Sequence, residues 1–261
     1  MLSLAASARA DVILPALFAD HMVLQQGRPL PLWGWAEAGE EITVSFKKSK
    51  VSTKTDADGK WRVELPAQPA DSQGAELVFA GKKTVTLRDV LVGEVWLCSG
   101  QSNMEWPVAK ALNATEEMAA ANWPKIRQFL VKKTIAEFPA SSVEGEWQVC
   151  SPQTAGRFTA AGYFFAREIH QALNVPVGLI HSSWGGTPIE SWMSEARLKS
   201  DLAYDTVFQR RARQIAAFPD ARKKFEEDLG VWERAAAAAK AEGRAFTERR
   251  PRDPVGPGHP Y

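Results

Sequence analysis

The chain has 261 residues, of which 45% are hydrophobic and 24% are charged, so it is long enough and apolar enough for one large globular domain or two ordinary ones. The 32 Lys and Arg residues almost balance the 31 Asp and Glu residues, so the net charge indicates neither a nucleic-acid partner nor a membrane surface. No apolar run approaches the roughly 18 residues that a membrane-spanning helix needs.

The first ten residues, MLSLAASARA, resemble the end of a secretory signal peptide. Ala8, Arg9 and Ala10 have the small-x-small pattern of a signal-peptidase site, and Asp11 would then begin the mature chain. The basic start of a signal is missing and the apolar part covers only residues 1–6, so either there is no signal or only its last part is present. We expect residues 1–10 to be the remnant of a signal peptide, and the protein to be exported to the periplasm or outside the cell.

Residues 12–90 have the pattern of short strands separated by turns, with no helix between them. Asp58 and Gly59 lie between two alternating runs, which is a strong signal for a β-hairpin. Strands at this spacing predict a small antiparallel β-sandwich module. The segments predicted as strands are PLPLWGWA, EITVSFKKSKVSTKTD, KWRVELP, AELVFAG and KTVTLRDVLV.

From residue 91 the pattern changes to that of an α/β domain. The run VLVGEVWLC predicts a strand buried on both faces of a parallel sheet, and VPVGLIHSSWGG predicts a second one that ends in a glycine turn. Between them, AGYFFAREIHQALN has apolar residues at helical spacing, and Asn174 and Pro176 end that helix. Ligands of such sheets bind outside the carboxyl ends of the strands, where residues 99–103 and 182–187 lie.

The remaining chain is charged and rich in alanine over residues 201–250, which predicts a helical insertion exposed to solvent. Within it, FEEDLGVWERAAAAAKAEGRAF indicates a pair of helices. The last segment, PRDPVGPGHPY, is typical of an extended connector rather than of the end of a domain. We therefore expect residues 91–261 to be the first portion of a larger domain.

Two features of the composition leave alternatives open. An exported chain could join Cys98 and Cys150 in a disulfide, but two buried thiols explain them equally well, and their spacing matches no metal site. The chain also has ten Trp residues and only three Tyr. Exposed Trp residues are common where sugars stack, although core packing accounts for most of them.

The segment SGQSN, residues 99–103, places two hydroxyls in a tight turn at the end of a predicted strand. Gly100 lets the backbone turn sharply before Ser102, so a helix starting there would point N–H groups at a reacting carbonyl oxygen. Ser99 is better placed to cap the turn. Ser102 is thus the candidate nucleophile, and a purely structural turn is the alternative. The segment is not a G-x-S-x-G elbow, so a lipase-like hydrolase lacks its signature.

Four stretches of the sequence closely resemble the sialate O-acetylesterase family of SGNH-like hydrolases. GEVWLCSGQSNMEWPV resembles its nucleophile block, and VPVGLIHSSWGGTPIESWMS resembles its second block. LFADHMVLQQGRPLPLWGWA and DADGKWRVELPA resemble its N-terminal β-module. The resemblance implies an α/β protein in which a β-sandwich module precedes an incomplete three-layer SGNH-like domain with a parallel sheet.

The resemblance also implies a role for particular residues. Ser102 would be the nucleophile, and Gly185 and Gly186 would supply an oxyanion donor together with the N–H of Ser102. The family removes O-acetyl groups from sugars and needs no metal or other cofactor. An O-acetylated sugar or polysaccharide is therefore the expected partner.

Other polar and aromatic residues near these blocks are candidate substrate-binding residues. Gln101 and Asn103 flank the nucleophile. Glu190 could orient a sugar hydroxyl and Trp192 could stack on its ring, although local pairing and core packing explain these two equally well. Glu105 lies three residues after the nucleophile, too close in sequence to aim back at its hydroxyl, so we expect it to support the turn.

The base that a serine nucleophile needs is not evident in this chain. His21 and His170 are interpreted as structural, His181 ends the second strand beside the glycine pair, and His259 lies in the Pro-rich tail. None belongs to the Asp-x-x-His block that supplies the base in this family, and a Gly-Glu-Ser-Asn-like block is also absent. We expect an N-terminal portion of a serine esterase, inactive alone, whose C-terminal remainder carries the base.

Two other classes of protein remain open from the sequence. One is a non-catalytic glycan-binding protein in which exposed Trp residues hold sugar and Ser102 is vestigial. The other is a structural two-domain protein whose Ser-Gly turns serve only the backbone.

Overall fold

The computed structural model describes residues 12–136, 138–254 and 256 and shows a mixed α/β protein. The chain divides into two compact units. The first contains the described residues up to Lys133 together with Ala140–Gly186. The second contains Thr134–Pro139 and the described residues from Thr187 onward. The expected signal remnant, residues 1–10, and His259 lie outside the described residues.

The first unit consists of strands with three helices. Its helices are α1 (Ser102–Glu105), α2 (Ala114–Ala120) and α3 (Ala160–Leu173). Its strands are β1 (Val23–Gln25), β2 (Leu30–Trp35), β3 (Glu41–Phe46), β4 (Ser49–Lys54), β5 (Lys60–Leu65), β6 (Asp71–Ala80), β7 (Thr84–Cys98), β8 (Trp123–Val131), β9 (Gly145–Cys150) and β10 (Val177–His181). Single 3₁₀ turns cover Val108–Lys110 and Ala155–Arg157.

One long strand joins the two sequence patterns of the first unit. The large sheet has the order β4-β3-β6-β7-β10-β8-β9, with β1 also paired to β7, while β2 and β5 form a sheet of their own. The 15 residues of β7 pair antiparallel with β6 in their first part and parallel with β10 in their second part. The strand therefore runs through the boundary that the sequence places between residues 90 and 91.

The turn predicted at Asp58 and Gly59 forms, but the hairpin predicted there is wrong. Gly59 has a φ of +74° and its N–H donates to the Asp56 carbonyl at 3.0 Å. Nevertheless β4 pairs with β3, whereas β5 pairs with β2 in the other sheet. The turn residues determine only the local reversal of the chain. The sheet that each flanking strand joins depends on pairing partners that are distant in the sequence. The hairpin between β3 and β4 turns instead at Lys47, whose φ is 53°.

The strand–helix–strand pattern of the α/β part is confirmed. β10 is parallel to both β7 and β8, with Leu179 opposite Trp96 and Gln128. The helix α3 begins after Thr159, whose hydroxyl accepts from the Gly162 N–H at 3.4 Å. It ends at Asn174, which has a φ of 52°. A left-handed residue at that position stops a helix, as the sequence predicted.

The expectation that the strand VLVGEVWLC is buried on both faces is wrong for its last part. Trp96 is 43% exposed and Leu97 is 66% exposed. Residues 94–98 pair with β10 on one side, and no described strand pairs with them on the other. Trp96 is covered only in part, by an edge-on contact with Phe165 at 4.9 Å between ring centroids. This segment is therefore an edge, which a one-dimensional apolar run cannot distinguish from a central strand.

The second unit is helical, and one long helix replaces the predicted pair. It contains α4 (Glu195–Lys199) and α5 (Asp205–Ala241), with 3₁₀ turns at Ile189–Trp192 and Leu202–Tyr204. The 37 residues of α5 continue through Pro219, although a proline inside a helix removes one hydrogen bond and crowds the preceding turn. In the part of the chain that the structure describes, no helix has the length and apolar character of a membrane span.

Candidate active site

The two turns that the sequence places at strand ends lie side by side. The ladder between β7 and β10 continues beyond both strands, because the Ser182 N–H donates to the Cys98 carbonyl at 3.0 Å and the Trp184 N–H to the Gly100 carbonyl at 2.9 Å. A Cβ atom placed on Gly185 would lie 3.2 Å from Ser102 Oγ. The structure thus brings the candidate nucleophile and the glycine pair together at one edge of the sheet.

Ser102 is exposed and begins the single helical turn α1. Gly100 precedes it with a φ of +125°, a conformation that L side chains rarely adopt. The turn closes with N–H bonds from Glu105 to the Gln101 carbonyl at 2.9 Å and from Trp106 to the Ser102 carbonyl at 3.0 Å. The Ser102 hydroxyl donates a long hydrogen bond to Gln101 Oε1 at 3.5 Å, on the exposed side of the turn.

The carboxylate of Glu105 connects the ends of three strands. Its Oε2 accepts the N–H of Gly185, which follows β10, and its Oε1 binds the ammonium group of Lys133, which follows β8. The hydrogen bond from Lys133 and that from Gly185 keep the pKa of Glu105 below its ordinary value, against the opposing effect of burial. The expectation that Glu105 supports the nucleophile turn agrees with these contacts.

Gly186 has a backbone conformation that requires glycine. Its φ is +82°, and a Cβ atom placed on it would meet nothing within 4 Å. Its N–H has no hydrogen-bond partner among the described residues, and neither has the N–H of Ser102. A ligand could therefore bind both N–H groups without displacing a described partner.

His181 lies beside this site, but its hydrogen bond is to Ser183. Its Nε2 is 2.6 Å from the hydroxyl of Ser183, and the two residues are 5% and 6% exposed. Burial lowers the pKa of His181, which keeps the imidazole neutral near pH 7. Its Nδ1 is buried and makes no hydrogen bond of ordinary geometry among the described residues, although the nearby backbone of Met104 opposes the lowering of the pKa. Its hydrogen bond goes to Ser183, and none joins it to Ser102.

The other described histidines are held outside the site. His21 Nδ1 lies 2.7 Å from Asp89 Oδ2, an oxygen that the buried Arg127 also binds at 2.8 Å. His170 Nδ1 lies 2.7 Å from the Val175 carbonyl. Among the residues that the structure describes, no histidine is hydrogen-bonded to the hydroxyl of Ser102.

The candidate substrate-binding residues fall into both units. Gln101 and Asn103 are exposed beside Ser102 in the first unit. In the second unit, Glu190 pairs with Arg210 at 2.8 Å, and this hydrogen bond lowers the pKa of Glu190. The indole N–H of Trp192 donates to the Thr187 hydroxyl at 2.9 Å.

The two cysteines are buried as free thiols. Burial raises the pKa of Cys98 to about 11 and that of Cys150 to about 12, so neither is a nucleophile at neutral pH. Over the described part of the chain, no group of three or more His, Cys, Asp and Glu side chains could hold a metal ion.

Sequence reasoning missed two residues of this arrangement, Lys133 and Ser183. Lys133 lies in a charged, polar stretch with no motif, and its contact with Glu105 exists only because β8 ends near β7 and β10. Ser183 is in the family block already singled out, and a buried histidine two residues earlier was the available signal.

Known carbohydrate esterases are similar to this chain in sequence. Residues 92–221 match the family model described as "Carbohydrate esterase, sialic acid-specific acetylesterase". The sialate O-acetylesterase of Rattus norvegicus is 33% identical over 206 residues, covering 71% of this chain and 38% of that protein. For the Homo sapiens enzyme the identity is 32% over 216 residues, covering 72% and 41%.

A solved structure is also similar to this chain. It is the crystal structure of a novel carbohydrate acetylesterase from Xanthomonas citri, with 45% sequence identity and a TM-score of 0.70. The match covers 72% of this chain and 44% of that one.

These matches place the chain within a class of proteins, the carbohydrate esterases, by similarity of sequence and fold. The chain belongs to the sialate O-acetylesterase family. It spans about two fifths of the length of the curated relatives that it matches, 38% and 41% for the two described.

Proposed function

We propose that this chain carries the nucleophile and part of the oxyanion hole of an exported esterase that removes acetyl groups from sugars, sialic acid in particular. The observation that carries the proposal is the position of Ser102, exposed at the start of α1 and beside Gly185. The SGNH-like three-layer arrangement belongs to the same proposal, and the parallel pairing of β7, β10 and β8 supports it.

The proposed reaction is acyl transfer. The Ser102 oxygen attacks the acetyl carbonyl carbon while its proton passes to a base, and the carbonyl oxygen becomes a tetrahedral oxyanion. The backbone N–H of Ser102 and one N–H from the glycine pair stabilise that oxyanion. The C–O bond to the sugar then breaks, and the sugar oxygen takes up the proton. Water hydrolyses the acetyl-serine by the same steps, releasing acetate.

The base of this reaction is proposed to come from polypeptide outside these 261 residues. Two observations support this source: His21, His170 and His181 are each bonded to other groups, and the matched relatives are much longer than this chain. A serine hydroxyl without a base is a weak nucleophile. The chain alone is therefore expected to turn over slowly or not at all.

The test measures acetate release from O-acetylated sialic acid and from 4-nitrophenyl acetate. The C-terminal remainder of a relative, prepared as a separate polypeptide, is then added to this chain. It should raise the turnover on the order of 100-fold or more, the usual contribution of a general base. In Ser102→Ala the stimulated turnover should be lost, while the matched variant Ser99→Ala should keep it. Turnover that survives in Ser102→Ala contradicts the nucleophile, and full turnover by the chain alone contradicts the external base.

A glycan-binding protein without activity is the second candidate. The observation that favours it is the Ser102 hydroxyl, which no described histidine contacts. Such a protein would bind the acetylated sugar equally well before and after Ser102→Ala and would show no turnover when the remainder is added.

A further inference from the structure

We propose that Glu105 is a positioning residue for the esterase reaction: it holds the N–H of Gly185, so the glycine N–H that serves the oxyanion is that of Gly186. The inference rests on the proposed function. It separates two glycines that the sequence and the family resemblance leave equivalent.

The N–H of Gly185 is already used. It donates to Glu105 Oε2, and the other oxygen of the same carboxylate binds Lys133. Hydrogen bonds to an ionised acceptor are roughly twice as strong as neutral ones. An oxyanion could take the Gly185 N–H only by displacing a carboxylate that Lys133 holds in place. Lys133 also lies 5.6 Å from the ring centroid of Trp184, the residue before Gly185, so one cation contacts both the carboxylate and the glycine turn.

The N–H of Gly186 is available instead. Gly186 is exposed, and its N–H has no partner among the described residues. It directly follows Gly185, whose α-carbon faces Ser102 closely enough that a Cβ there would lie 3.2 Å from the nucleophilic oxygen. With the N–H of Ser102, also without a described partner, it forms the pair of donors that an acyl-transfer oxyanion needs.

A different role for Glu105 gives opposite expectations. If the Glu105 carboxylate instead blocked an oxyanion donor, its removal would free the N–H of Gly185 and strengthen binding of an oxyanion mimic. If Glu105 positions the turn, its removal releases Gly185 and disorders the neighbouring Gly186, so binding weakens. The two roles can therefore be distinguished by the direction of one change in affinity.

The experiment uses the whole chain labelled with ¹⁵N-glycine, and phenylboronic acid as the probe. The Ser102 oxygen adds to boron and its proton leaves to solvent, which gives a tetrahedral anion like the oxyanion intermediate. We expect the probe to shift the Gly186 amide resonance and to leave the Gly185 resonance nearly unmoved. Glu105→Gln should move the Gly185 resonance in the free protein and weaken probe binding about tenfold, a fraction of the loss typical for a whole donor.

Two controls keep the outcomes separate. Ser102→Ala should lose the probe-induced shifts, and Glu116→Gln, an exposed glutamate of α2, should change nothing. A probe that shifts Gly185 instead of Gly186, or tighter binding after Glu105→Gln, overturns this inference alone. A probe that shifts no glycine resonance contradicts the proposed esterase site and the inference with it.

Discussion

At the scale of single residues, burial of His181 makes the free energy of unfolding depend on pH. Burial lowers its pKa, so between the ordinary value of 6.5 and the lower folded value the unfolded chain binds more protons than the folded one. The free energy of unfolding should therefore fall as the pH falls below about 6.5. Urea unfolding at pH 7 and at pH 5 measures the loss, which should be smaller in His181→Gln. An equal loss in the variant would assign the effect to other groups.

The residues of the site were predictable where a motif fixes a backbone position and not where only the fold brings side chains together. Ser102 and Gly185 follow strands whose ladder continues into both turns, so their proximity follows from parallel pairing of two apolar runs. Lys133 meets Glu105 across 28 positions of sequence, and no local pattern encodes that contact. Glu190 and Trp192 were predicted from closeness in sequence to the glycine pair, and both belong to the second unit.

At the scale of elements, β7 depends on glycine where it changes partners. A Cβ atom on Gly93 would collide with the backbone of Pro176, lying 2.6 Å from its carbonyl carbon. Backbone cannot move aside as the tip of a flexible side chain can. Gly93→Ala should therefore lower the free energy of unfolding by about 1–3 kcal/mol, the usual effect of overpacking. Urea denaturation followed by Trp fluorescence measures it, and an unchanged midpoint would contradict the clash.

The glycine inside α5 should respond in the opposite direction. A Cβ on Gly230 meets only the end of the flexible Arg234 side chain, at 3.4 Å. Alanine is favoured over glycine in a helix interior by about 0.8–1.0 kcal/mol. Gly230→Ala should stabilise α5 and slow amide hydrogen exchange there about four- to fivefold. Exchange as fast as in the parent chain would contradict a stabilising effect of Gly230→Ala on α5.

Helical periodicity and apolar runs predicted α3, β7 and β10, since each is set by spacing within a short window. The length of α5 and the partner of β5 were not predictable in this way. Pro219 and Gly230 lie inside α5, and these residues, which favour a break in a helix, do not produce one here. The pairing of β5 with β2 depends on residues about 30 positions away, which a turn signal at Gly59 does not encode.

At the scale of the whole molecule, the edge of β7 predicts self-association. Over residues 94–98 the described structure pairs β7 only with β10, and on the open side the Val95 N–H is satisfied by the Gln25 side chain at 2.9 Å. Leu97 and Trp96 remain exposed along that segment. An unpaired apolar strand edge is a template for pairing with another chain.

We therefore expect the isolated chain to assemble as its concentration rises, or to be poorly soluble. Leu97→Lys should reduce this assembly, because a charge on an edge strand opposes pairing with a second strand. Leu112→Lys is the matched control, since Leu112 is 87% exposed but lies outside every strand. Sedimentation velocity over a concentration series measures the effect. A chain that stays monomeric and melts in one sharp cooperative transition would show that this edge needs no partner.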